Sequence, residues 1–113
     1  MRASSPSDHL NNWRAQKEQR RELGDRLDQP RELDHFFFFR RRSNAEAAAQ
    51  ALADADFRVS VEPGLLRTAL TASRDDALTD ADVARIIHEL VGIAATHGGG
   101  YDGFGGAIVP MDE

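Results

Sequence analysis

Residues 36–39 are four consecutive phenylalanines, four of the six in the chain. Alternate side chains of a strand point to opposite faces, so an extended run of this kind places two rings on each face. A strand that is apolar on both faces belongs in the middle of a sheet, covered on both sides. Residues 32–40, Glu-Leu-Asp-His-Phe-Phe-Phe-Phe-Arg, read as that strand. The rest of the chain has to supply its neighbours and its covers.

The neighbours come from three further apolar patterns. Residues 57–62 alternate, with Phe57, Val59 and Val61 inward and Arg58, Ser60 and Glu62 outward, which predicts a half-buried strand. Pro63-Gly64 makes a turn. Leu66, Thr68, Leu70 and Ala72 then alternate with Arg67, Thr71 and Ser73, a third strand closing a hairpin. The last strand runs from Tyr101 to Val109. Two helices supply cover. Ser43 is the expected cap of a helix over residues 44–55, with Glu46 completing a capping box and an Ala45, Ala48, Ala49, Leu52 stripe. Thr79 caps the second, where Val83, Ile86, Ile87, Leu90, Val91 and Ala94 follow helical spacing, Asp80 and Asp82 sit in the first turn, and Gly98 stops the helix.

Before the Phe strand, residues 1–7 are Ser/Pro-rich and predicted disordered. Residues 8–29 read as an N-terminal helix with a thin stripe of Leu10, Trp13, Leu23 and Leu27, exposed or loosely docked and ended by Gln29-Pro30. The order from residue 30 to 110 is β-α-β-β-α-β. That order predicts an α+β, ferredoxin-like domain: an antiparallel sheet in the order 4-1-3-2 with two helices on one face.

Composition narrows function mainly by exclusion. The net charge of −5 argues against general binding of a phosphate backbone, so no DNA partner is expected. The charge is uneven, with residues 1–42 carrying ten basic and seven acidic side chains and residues 43–113 four and twelve. Cysteine is absent, which removes disulfides, thiol catalysis and thiolate metal sites. No apolar run approaches the roughly 20 residues of a membrane span. The N-terminus lacks an apolar signal core, so the expected compartment is the cytoplasm.

Few residues of the chain stand in a catalytic pattern. His9, His35, His88 and His97 form no i,i+4 pair and give no zinc pattern. Gly98-x-Gly100-x-x-Gly103 matches a dinucleotide fingerprint by letter, but it follows a helix and opens a strand, the reverse of the required order. Asp75, Asp76, Asp80 and Asp82 surround a helix start without a calcium-loop spacing, and the helix dipole accounts for them. The reading is therefore of a non-enzyme without metal or cofactor. An RNA-binding alternative stays open. RNA-recognition motifs share the element order and stack bases on aromatic rings of the open sheet face. Phe36 and Phe38, or Phe37 and Phe39, would serve that purpose unless they pack under the N-terminal helix or against a second subunit in a homodimer.

The segments Leu33-Asp34-His35 through Phe39, Phe57-Arg58-Val59 and above all Gly99-Gly100-Tyr101-Asp102-Gly103-Phe104-Gly105 resemble the regulator of ribonuclease E activity B family (RraB, the ribonuclease E inhibitors). The lead-in Gly24 to Arg31 also fits, and Phe104 stands where the family usually has Trp. The resemblance spans about residues 20–110. It implies the same α+β fold and a small protein that binds a ribonuclease E-type enzyme and lowers its activity. Tyr101 and Phe104 lie three positions apart and would face opposite sides of a regular strand. The partner-binding surface expected on this reading comprises His35, Phe36, Phe38, Tyr101, Asp102, Gly103, Phe104 and Gly105.

Overall fold

The computed structural model describes residues 5–110. Its elements are α1 (Pro6–Glu22), β1 (Arg31–Phe39), α2 (Arg42–Asp54), β2 (Arg58–Pro63), β3 (Thr68–Asp76), α3 (Asp80–Thr96) and β4 (Gly99–Gly106). The chain is α+β, with one four-stranded antiparallel sheet in the order β2-β3-β1-β4. The Phe strand β1 is internal, hydrogen-bonded along both edges.

Its two faces are not alike, which corrects the expectation of a strand covered on both sides. Leu33, His35, Phe37 and Phe39 are buried, whereas Phe36 is exposed and Phe38 half-buried. The buried side joins Leu70 and Ala72 of β3, Ala45, Ala48 and Leu52 of α2, and Val83, Ile86, Ile87, Leu90 and Ala94 of α3 in one core. Four Phe in succession thus contribute only two rings to the interior. Alternation sends the other two to the open face regardless of their hydrophobicity.

Several element ends differ from the sequence expectation for identifiable reasons. Ser5 caps α1, its hydroxyl accepting from the Asp8 N–H at 3.2 Å with Pro6 next, so part of the stretch expected to be disordered forms a helix start. Residues 1–4 of that stretch lie outside the described residues. The helix ends at Glu22, where Gly24 takes a left-handed φ of +78°, rather than at Gln29-Pro30. Helix α2 starts early enough that Ser43 falls within its first turn. Arg41 holds the cap position with no side-chain cap, and Glu46 pairs with Arg42 at 3.4 Å, so the expected capping box is not formed. Strand β3 begins at Thr68, because Gly64 and Arg67 close a two-residue loop that leaves Leu66 outside. The Thr79 cap of α3 is as expected, accepting from Asp82 N–H at 3.2 Å, and Gly98 ends that helix with φ +73°.

Candidate partner-binding cleft

The segment Tyr101-Asp102-Gly103-Phe104 is a β-bulge. Tyr101 pairs with Phe37 and Phe104 with His35, so Asp102 and Gly103 together oppose the single residue Phe36. Gly103 takes φ +105°, a value that L side chains adopt only under strain. The extra residue shifts the alternation by one. Tyr101 and Phe104 consequently lie on the same side of the sheet, against the expectation of opposite sides, and both approach His35, with ring centroids 5.9 and 5.6 Å away.

His35 and Tyr101 form the base of the site. His35 Nδ1 and the Tyr101 hydroxyl are 2.9 Å apart, and both residues are buried. Burial, with a smaller effect of Arg74, depresses the His35 pKa to about 4 against the opposing pull of Asp34. The imidazole is therefore neutral at pH 7. Its Nδ1 either accepts the Tyr101 proton or donates its own, and Nε2 is buried with no hydrogen-bond partner among the described residues. Burial also raises the Tyr101 pKa, so the phenol stays protonated.

Helix α1 forms the opposite wall. His9, Asn12, Trp13 and Gln16 recur at i, i+3, i+4 and i+7, one face of a helix, and Arg20 continues it. His9 lies 4.8 Å from the Tyr101 ring and Trp13 6.1 Å from Phe104. Trp13 Nε1 donates to Asp80 at 3.2 Å and Lys17 Nζ to the same carboxylate at 2.8 Å, tying α1 to the start of α3. The expectation of an exposed or loosely docked helix is thus corrected, since His9, Trp13 and Arg20 are all buried. The inward face is mostly polar, so hydrophobic spacing does not mark it. The spacing of His9, Asn12, Trp13 and Gln16 was the signal available in the sequence. Between α1 and the bulge lies a cleft of about 560 Å³, lined by those four side chains, Ile87 and residues 101–104.

A second polar structure holds the far end of α1. The buried Asp25 carboxylate accepts from Arg20 Nη1 at 2.9 Å, from Arg31 Nη1 at 2.9 Å and from the Val109 N–H at 3.1 Å. Both guanidiniums also donate to backbone carbonyls, Arg20 to Gly106 at 2.9 Å and Arg31 to Ala107 at 3.0 Å. Burial alone would raise the Asp25 pKa. The Val109 N–H and the two arginines outweigh it, and the carboxyl titrates below its ordinary value. One carboxylate thereby joins the end of α1, the start of β1 and the segment after β4.

The expected surface residues consequently divide. Asp102 is exposed, and Gly103, Phe104 and Gly105 are half-buried around the bulge. His35 and Tyr101 lie in the interior and support the cleft from beneath. Phe36 and Phe38 are on the opposite face of the sheet, where the Arg67 guanidinium stacks 3.9 Å over the Phe38 ring. That open face also bears Glu32, Asp34 and Asp75, with Arg58 paired to Glu32 at 2.6 Å and Ser73 donating to Asp34 at 2.6 Å. Among the described residues, no group of three or more acidic or histidine side chains is placed to hold a metal ion, and no helix is long and apolar enough to cross a membrane.

The family profile described as Regulator of ribonuclease activity B (RraB) matches residues 15–106. The chain belongs to the RraB family. The match takes in the whole sheet, the bulge and the Arg20, Asp25 and Arg31 side chains of the clasp, while His9, Asn12 and Trp13 precede it and Ala107 and Val109 follow it. The cleft thus has a floor within the family match and a wall partly outside it. RraB membership makes this a regulator-family protein, and the family description implies a ribonuclease as protein partner. No curated protein matches the chain.

Proposed function

We propose that the chain is a non-catalytic, cytoplasmic regulator that binds a ribonuclease E-type endoribonuclease and inhibits it, with the cleft between α1 and the β4 bulge as the contact site. Membership of the RraB family carries the reading. The bulge supports the location: it turns Tyr101 and Phe104 inward and leaves Asp102 at the rim of the cleft. We also read the architecture as ferredoxin-like, a reading supported by the β-α-β-β-α-β order and by a strand sequence that runs β4-β1-β3-β2 from the β4 edge.

Binding to a purified ribonuclease E-type enzyme, measured together with its rate of RNA cleavage, tests the proposal. The expected result is a complex and slower cleavage. Absence of a complex with an unchanged rate would reject the partner. The alternative, single-stranded RNA stacked on Phe36 and Phe38, has an exposed Phe36 in its favour. Against it stand three acids on the same face, Glu32, Asp34 and Asp75, which outnumber Arg58 and Arg67 there, and Arg58 is itself paired with Glu32. Titration of a labelled short RNA at low salt separates the two; the regulator reading expects a flat curve.

A further inference from the structure

One end of the sheet gathers the end of β1, the start of α2, the β2–β3 turn and the start of β4. Arg40, Arg41, Arg42 and Arg67 are there, all exposed. Phe39 pairs with Thr68, so Arg40 and Arg67 follow each other across adjacent strands. Among the described residues, Arg42 is the one of the four in an ion pair, with Glu46. The opposite end carries the exposed acids Asp28, Glu32, Asp54, Asp56 and Asp75 against the exposed Arg58, which pairs with Glu32. The molecule is therefore polarised along its strands.

Leu65 and Leu66 project from the basic end, 104% and 92% exposed. They are the two central residues of the hairpin loop, which the Gly64 N–H closes onto the Arg67 carbonyl at 3.0 Å. The leucines serve neither the turn nor the core. Apolar side chains held at a tight tip, rimmed by cations, have the character of an interaction surface.

We propose that this end attaches the protein peripherally to a bilayer bearing anionic phospholipids. Leu65 and Leu66 enter the boundary between headgroups and acyl chains, and the four arginines lie against lipid phosphates. Charge complementarity selects an anionic surface, with Glu62 as the acid nearest the turn. The leucines distinguish among anionic surfaces. A phosphate backbone offers them no apolar contact, and a folded partner would need a pocket shaped for a convex tip. A fluid layer closes around such a tip without one. Two leucines and a few cations give reversible attachment, not permanent insertion. The inference stands apart from the ribonuclease reading and from the cleft.

Cosedimentation of the full chain with vesicles of phosphatidylcholine alone, or mixed with phosphatidylglycerol, tests it. Binding is expected to the mixed vesicles only and to weaken as salt rises. The double variant Leu65→Ser/Leu66→Ser, changed only at exposed loop positions, should keep its circular dichroism and bind at least about tenfold more weakly. Arg40→Gln and Arg41→Gln should each cost about fivefold. In Leu65→Trp, added indole emission should shift to the blue on mixed vesicles. Failure to bind mixed vesicles at low salt, equal binding to neutral ones, or unchanged binding of the double serine variant would overturn the proposal. So would retention by single-stranded RNA or polyglutamate, instead of vesicles, through the same arginines and independent of the leucines.

Discussion

His35 is the residue at which sequence position and chemical environment diverge most. Next to four phenylalanines, it sits in the core as a neutral base against Tyr101. Its pKa lies near 4 folded and at an ordinary 6.5 unfolded, so between these values the unfolded chain binds the extra proton. The resulting stability is complete above about pH 6.5 and is lost as pH falls toward 4, by about 3 kcal/mol in all. Urea unfolding of wild type and His35→Phe at several pH values should show that difference in slope; parallel curves would contradict it. Tyr101→Phe removes the hydrogen-bond partner of His35 without changing shape, and should cost about 1–3 kcal/mol at pH 7 by the same measurement.

At the scale of elements, α1 and β4 depend on features that hydrophobic periodicity does not report. Asp25 holds three segments through charged donors in a buried setting. Asp25→Asn leaves two guanidiniums without their anion, and a loss of about 3–5 kcal/mol in unfolding free energy is expected. Asp25 also titrates below its ordinary value, so its contribution is present at neutral pH and is lost as pH falls through that depressed value. The bulge depends on Gly103. Gly103→Val must place a β-branched side chain at φ +105°, which costs about 1–3 kcal/mol in thermal or urea unfolding or forces the bulge to rearrange. Rearrangement would turn Phe104 away from His35, and loss of the cleft would then appear as weakened partner binding beyond the loss in stability.

For the whole molecule, the sheet separates two surfaces, and the partner question becomes one of which face is used. Asp102→Lys on the cleft rim should weaken ribonuclease binding by about tenfold or more through charge reversal at an interface, beyond any loss of stability read as a lower thermal midpoint. Phe36→Asp on the open face should leave binding intact. The reverse pattern, read by the same binding assay, would move the contact to the open face.

The elements were legible in the sequence where their patterns were local. Val83 to Ala94 gave α3 by spacing, Thr79 and Gly98 gave its ends, and the Phe run gave an internal strand. The terminal Tyr-Asp-Gly-Phe-Gly motif pointed to the family. These features depend on periodicity, capping and turn chemistry, which act over a few residues. The inward face of α1, the Asp25 clasp and the common orientation of Tyr101 and Phe104 were not legible. Each needs partners from distant parts of the chain: Asp80 for Trp13, Val109 for Asp25, and the pairing of β4 with β1 for the bulge. The sequence by itself determined which segments become helices and strands, because those preferences are short-range. Only the tertiary structure decided which faces are covered and where the cleft lies, because burial of a polar side chain depends on the donors and acceptors that folding brings to it.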